Sequence, residues 1–218
     1  MRKYLLFDLD GTLLDTITDL SNAVNHAMML HGFPTHSEDA IARMVGNGIR
    51  LLVARATPGG EDNPDFEAVF ADFKSYYAVH NSDNTAPYDG ISEMLAALSK
   101  VGYTIAVVSN KIDSAVKLLC RETFPDRIDY ALGDTEGIPR KPAPDMVYAA
   151  LRALGADRSE AYFIGDSEVD VATAENAGLP CLSVLWGFRS KEELLAVGAD
   201  TFFDTPAALG AYLLNEAK

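Results

Sequence analysis

Positive charge is scarce in this sequence. Its 218 residues carry 18 Lys and Arg against 32 Asp and Glu, a formal net charge of -14, and no basic run exceeds two residues. Such a surface repels nucleic acid and anionic membranes, which argues against both as partners. It repels phosphate esters as well, so a phosphate-handling site here needs its own positive charge from a metal ion, a lysine or helix N-termini. Cysteine is nearly absent. Cys120 and Cys181 stand far apart in apolar surroundings and read as two reduced, buried thiols rather than a disulfide. Long apolar runs are missing too: no stretch approaches membrane-spanning length. The run that ends at Phe7 is too short for a secretory leader and meets Asp8 at once. These absences predict a cytoplasmic chain. With 48% hydrophobic residues, it still has enough apolar material for a substantial core.

Short apolar runs alternate with amphipathic segments through most of the chain. Residues 4–9, 104–108, 128–132, 161–164 and 180–185 read as buried strands. Residues 90–101, 112–122, 144–154, 168–177 and 206–216 read as helices between and after them. That alternation predicts a doubly wound, mostly parallel, Rossmann-like α/β sheet. One interval is too long for it. About a hundred residues separate the first two strands, where a βαβ unit needs about thirty. The excess, residues 16–86, carries helical patterns over 19–31, 38–45, 48–56 and 64–79 and leaves through the polar segment Asn81–Pro87. The predicted organisation is an α/β core from 1–15 and 87–218 with an inserted helical domain at 16–86, placed where lids commonly occur.

Ligands of open parallel sheets bind beyond the carboxyl ends of the strands. The predicted strand ends carry Asp8 and Asp10, then Ser109 and Asn110, then Lys141, then Asp166 and Asp170. Asp8 and Asp10 can face one cavity if the chain turns at Gly11, and two carboxylates there repel unless a cation intervenes. An incomplete set of oxygen ligands suits Mg²⁺, with Asp166 as a third carboxylate. Ser109 and Asn110 read as a loop entering a helix, where a hydroxyl and amides can hold phosphate oxygens or simply cap the helix. Pro142 restricts the backbone of Lys141 and so aims its cation. Ser167 and Asp170 have capping-box spacing, so Asp170 has a structural reading beside a functional one. Within the insertion, Gly46, Asn47 and Gly48 lie between two predicted helices. They are either a plain turn or a close approach to a ligand carboxylate, with Arg50 as helper. The four histidines share neither a helical face nor metal-ligand spacing and read as surface or lightly packed residues.

Phe7-Asp8-Leu9-Asp10-Gly11-Thr12-Leu13, Ser109-Asn110, Lys141-Pro142 and Gly165-Asp166-Ser167-Glu168-Val169-Asp170 resemble, in order, the four motifs of the haloacid dehalogenase superfamily. The resemblance spans essentially the whole chain, and the insertion is similar to that family's helical cap. Val45-Gly46-Asn47-Gly48, Ser109-Asn110-Lys111 and Trp186-Gly187-Phe188-Arg189-Ser190 resemble its phosphoglycolate phosphatase branch. The resemblance implies a Mg²⁺-dependent phosphatase acting on a small phosphorylated metabolite, as a monomer or homodimer. It implies Asp8 as nucleophile and Asp10 as general acid and base. Mg²⁺ would lie on the carboxylates of Asp8 and Asp166 and the backbone carbonyl of Asp10. Ser109, Asn110 and Lys141 would bind phosphate, with Asp170 behind Lys141. A dehalogenase would not need Asp10. A sugar phosphomutase or a pyrophosphatase would share the same core, and a non-enzymatic phosphoacceptor would need neither the cap nor Asp10.

Overall fold

A computed structural model describes residues 3–46 and 48–217. In chain order its strands are β1 (Tyr4–Phe7), β2 (Leu14–Asp15), β3 (Ala86–Pro87), β4 (Thr104–Ile112), β5 (Tyr130–Asp134), β6 (Ala161–Gly165), β7 (Cys181–Val184) and β8 (Phe202–Phe203). Its helices begin with α1 (Ile17–Leu30), α2 (Glu38–Met44), α3 (Ile49–Ala56), α4 (Phe66–His80) and α5 (Ile91–Lys100). They continue with α6 (Asp113–Thr123), α7 (Asp145–Leu154), α8 (Glu168–Ala177), α9 (Lys191–Ala196) and α10 (Pro206–Glu216). The chain separates into two compact units, Met1–Leu14 with Pro87–Lys218, and Asp15–Ala86.

The first unit is a six-stranded sheet of order β5-β4-β1-β6-β7-β8 with every pairing parallel. Strand periodicity divides its apolar residues between two faces. Leu5, Phe7, Ile105, Val107, Tyr162 and Ile164 face a core shared with α5, α6 and α10. Leu6, Ala106, Val108 and Phe163 face a second core shared with α7 and α8. Burial on both faces is why these strands read as continuous apolar runs rather than alternating ones. Strand order reverses between β1 and β6, so the carboxyl ends of these two neighbours flank the crevice where such sheets bind ligands.

The second unit has its own core. Val24, Met28, Ile41, Val53, Phe66, Val69 and Phe73 are fully or almost fully buried among α1 to α4. Asp19, only 1% exposed, accepts hydrogen bonds from the backbone and side chains of both Asn84 and Thr85, tying the first turn of α1 to the segment after α4.

Two readings needed revision. Ser109 and Asn110 lie inside β4 and not in a loop before a helix. The strand runs on to Ile112, with a register shift against β5 between Val108 and Ile112, so the polar pair interrupts the apolar pattern without ending the strand. Helix α9 and strand β8 are additional. Each is short, and β8 has only two residues, too few to show a period.

Candidate active site

The central strand delivers Asp8. Its N–H extends the ladder to the Ile164 carbonyl at 2.9 Å, which fixes the residue at the mouth of β1 beside β6. Its Oδ1 accepts the Leu9 N–H at 2.7 Å and lies 2.9 Å from Lys141 Nζ. The chain then turns at Gly11, whose φ of 84° favours glycine, and a Cβ there would stand 2.5 Å from Asp166 Oδ2. This tight turn lets the loop after β1 lie directly on the loop after β6.

Lys141 is 2% exposed and sits between two carboxylates, 2.9 Å from Asp8 Oδ1 and 2.7 Å from Asp170 Oδ1. Burial alone would lower its pKa, but Asp170 and Asp8 outweigh burial and hold the ammonium charged above its ordinary range. Asn110 braces the same segment by donating its Nδ2 to the Lys141 carbonyl at 2.9 Å, while its Oδ1 is buried without a partner. Ser109, 2% exposed, accepts the Lys111 N–H on its hydroxyl. Asp170 combines both roles its spacing allowed. Its Oδ2 takes the Ser167 N–H and hydroxyl at the start of α8, and its Oδ1 takes Lys141.

Asp166 is 1% exposed and accepts from Thr12 Oγ1 at 2.9 Å and from the Phe188 N–H at 2.8 Å. Carboxylate oxygens of Asp8, Asp166 and Asp170 all lie within 4.8 Å of one another. Burial pushes the Asp8 carboxyl up to about 8. Lys141 opposes that shift, and the charges of Asp170 and Asp166 add to it. Burial likewise pushes Asp166 up to about 7, helped by Asp170 and opposed by Phe188, Thr12 and Lys141. Three acids around one lysine are short of positive charge, and an all-oxygen donor set suits a hard divalent cation. Asp170 already has its charge matched by the Lys141 ammonium at 2.7 Å, with Ser167 on its other oxygen, whereas the donors on Asp166 are neutral, which leaves Asp8 and Asp166 as the carboxylates suited to a cation.

The Asp10 carboxylate lies outside this cluster. Its Oδ1 is 3.1 Å from Lys111 Nζ, and Lys111 is 8% exposed. The two aspartates of the first motif are thus paired with different lysines, Asp8 with Lys141 and Asp10 with Lys111. Lys111 belongs to the quoted Ser109-Asn110-Lys111 stretch, but the sequence assigns it no role; its pairing with Asp10 emerges only from the fold. Glu168 and Trp186–Arg189 stand within the motifs of the sequence, with Trp186 expected to pack at the core edge near the site, but the contacts they make there are visible only in the fold. Trp186 Nε1 donates to the Thr12 carbonyl at 2.9 Å, and Arg189 Nε donates to Glu168 at 2.7 Å.

The helical unit carries the remaining candidates. Gly46 and Gly48 both have positive φ, and Gly48 precedes the first residue of α3. Asn47 lies outside the described residues. Arg50 is engaged by Glu67 at 2.6 Å and Glu61 at 3.2 Å, with its guanidinium over the rings of Phe66 and Phe70. To meet a substrate carboxylate it would have to leave both glutamates. His31, His36 and His80 are hydrogen-bonded to Asp72, the Ala56 carbonyl and Asp83, and His26 stacks on Tyr76.

With that geometry the sequence relationships agree. Residues 5–184 match the haloacid dehalogenase-like hydrolase family, and the chain belongs to it. This chain is similar to two phosphatases. It is 35% identical to the phosphoglycolate phosphatase of Rhodospirillum rubrum over 98% of this chain and 91% of that one. It is 34% identical to the N-acetylmuramic acid 6-phosphate phosphatase of Pseudomonas aeruginosa, over 95% and 92%. A crystal structure from Lactobacillus delbrueckii subsp. bulgaricus superposes with a TM-score of 0.92 at 36% identity, covering 98% of this chain and 99% of that one. This chain is accordingly a phosphatase. Among the described residues, no helix is long and apolar enough to cross a membrane.

Proposed function

We propose that the protein hydrolyses small phosphomonoesters that also carry a carboxylate, 2-phosphoglycolate first among them, through a phosphoryl group carried on Asp8. The observation that carries this reading is the placement of Asp8 at the switch point of the sheet, 2.9 Å from a buried Lys141. Its two named relatives act on phosphoglycolate and N-acetylmuramic acid 6-phosphate, and both of those esters bear a carboxylate.

In this reading the Asp8 carboxylate attacks phosphorus while the bond to the leaving oxygen breaks, and Asp10 gives its proton to the departing alkoxide. Asp10 then takes a proton from the water that attacks the aspartyl phosphate. The bond from phosphorus to Asp8 breaks, orthophosphate leaves and both aspartates return to their starting states. Lys141, Ser109 and Asn110 hold the equatorial phosphate oxygens. Asp170 fixes the Lys141 ammonium, and Lys111 fixes the Asp10 carboxylate. Asp8, Asp166 and the Asp10 backbone carbonyl would hold Mg²⁺, which would supply the positive charge a phosphate dianion needs to approach a carboxylate. In the helical unit, the amides beside Gly46, Asn47 and Gly48, with Arg50, take the substrate carboxylate. Two free cysteines whose thiols burial pushes up to about 12 suit the reducing cytoplasm.

The test is orthophosphate release from 2-phosphoglycolate, N-acetylmuramic acid 6-phosphate, other phosphomonoesters and pyrophosphate. It compares Mg²⁺ with chelator and the unmodified chain with Asp8→Asn. Mg²⁺-dependent release from the carboxylated esters, absent in Asp8→Asn, is expected. Preference for an ester without a carboxylate would keep the mechanism and discard the substrate class. Turnover that survives Asp8→Asn would discard the mechanism.

A further inference from the structure

Four successive residues between β7 and α9 pack on Asp166 or on residues next to the acidic cluster. Trp186 donates its indole N–H to the Thr12 carbonyl at 2.9 Å. Gly187 lies so close to the Gly11 carbonyl and the Asp166 side chain that a Cβ there would collide with both. Phe188 donates its backbone N–H to Asp166 Oδ2 at 2.8 Å. Arg189, 8% exposed, closes the run with a forked pair to Glu168, 2.7 Å through Nε and 3.2 Å through Nη2. Both ends are tied down. The Leu185 N–H bonds to the Phe203 carbonyl, and Ser190 exchanges hydrogen bonds with Glu193 at the start of α9.

We infer that Trp186–Arg189 is a strap that positions Asp166 for a divalent cation, with the Arg189–Glu168 pair as its anchor. The strap holds one oxygen of Asp166 through Phe188, and Thr12 Oγ1 holds the other, so the carboxylate cannot rotate. An ion then meets it already aimed. Glycine at 187 is required because the backbone must lie directly on the two groups it orders. Arg189 and Glu168 are positioning residues and act through Phe188. The inference rests on the reading of Asp166 as a cation ligand.

Simple electrostatics and the strap predict opposite signs for one substitution. Removing the Arg189 charge beside an acidic site should tighten cation binding by field alone. Loss of the strap should weaken it, since outer contacts of metal ligands typically matter by about 10–100-fold in affinity. The experiment is Mn²⁺ binding to the purified full chain, with free ion counted by electron paramagnetic resonance. It is done for the unmodified chain, Arg189→Met, Glu168→Gln and the double variant, alongside the Mg²⁺ dependence of turnover. Expected are about ten-fold weaker Mn²⁺ binding in each single variant, no further loss in the double, and kcat largely recovered at saturating Mg²⁺. Unchanged or tighter binding in Arg189→Met, or losses that add in the double variant, would overturn the strap while leaving the cation site standing. An unmodified chain that binds no Mn²⁺ would overturn both. Should Arg189→Met fail to fold by circular dichroism, Trp186→Phe removes only the indole hydrogen bond. About three-fold weaker Mn²⁺ binding is then expected, and no change would count against the strap.

Discussion

Two buried acidic sites, one in each unit, show what separates a structural carboxylate from a reactive one. Asp19 in the helical unit is 1% exposed and surrounded by neutral donors, the N–H groups of Asn84 and Thr85, the Asn84 amide and the Thr85 hydroxyl. Burial works to raise its pKa, but those donors outweigh burial and hold it below its ordinary value. Asp8 has one backbone donor and one lysine, and it shares its surroundings with Asp166 and Asp170. Burial and like charge leave it raised. Asp19 is thus complete within the fold. The Asp8 cluster is short of positive charge, a deficit that a cation and a substrate can relieve.

The comparison is sharpest in crossed substitutions. Asp8→Asn should abolish phosphate release, by about 10⁴-fold or more, while leaving the urea midpoint unchanged or higher, because it removes a strained buried acid. Asp19→Asn should do the reverse, lowering stability by about 1–3 kcal/mol in urea unfolding and sparing kcat per folded molecule. A large midpoint loss in Asp8→Asn, or none in Asp19→Asn, would erase the distinction.

Titration should separate the two sites next. An aspartate whose native pKa is raised keeps its proton at pH values where the unfolded chain has lost it. The Asp8 and Asp166 pair therefore costs the metal-free protein stability as pH rises from about 4 towards 8. Asp19 has the opposite sign: its contribution is present above its ordinary pKa and fades as pH falls below it. Thermal midpoints across pH should show both limbs. Asp8→Asn should weaken the alkaline one, Asp19→Asn the acid one, and added Mg²⁺ should flatten the alkaline one. Mg²⁺ binding at pH 7 should also release protons, measurable by calorimetry in buffers of different ionisation enthalpy.

The smallest effect expected is that of Arg50→Ala. Its ion pairs are exposed, so the unfolding midpoint should scarcely move. KM for 2-phosphoglycolate should rise by no more than about five-fold, with kcat unchanged, because the guanidinium must leave two glutamates to act. An unchanged KM would remove Arg50 from substrate binding.

Apolar periodicity was enough to reveal the parallel sheet, since strands buried on both faces write themselves as short hydrophobic runs. The strands Tyr4–Phe7 and Ala161–Gly165 are examples. Strand order put Asp8 and Asp166 just past strand ends, Lys141 in the loop after a strand and Asp170 in the helix after another, and the carboxyl ends of such strands converge. Asp170 was legible as a helix cap because capping-box spacing is local, while its place behind Lys141 was expected only from the motif resemblance.

Contacts made across distant loops were not legible. Ser109 and Asn110 looked like the end of a strand, yet pairing with β5 past the register shift carried β4 on to Ile112. Lys111 shows no pattern linking it to Asp10, although folding brings them to 3.1 Å. The strap over Asp166 joins residues 11, 12, 166 and 168 to residues 186–189, and no local rule connects them.

The sequence by itself determined which residues could be buried, where the main strands and helices would form, and which acids would stand just past strand ends. Each of those follows from periodicity or spacing within a short stretch of chain. Only the tertiary structure decided which lysine meets which aspartate, which oxygens remain for a cation and which carboxylate is left raised. Those depend on distances of a few ångströms between segments 22 to 154 residues apart, where burial strengthens every charge that lacks a partner.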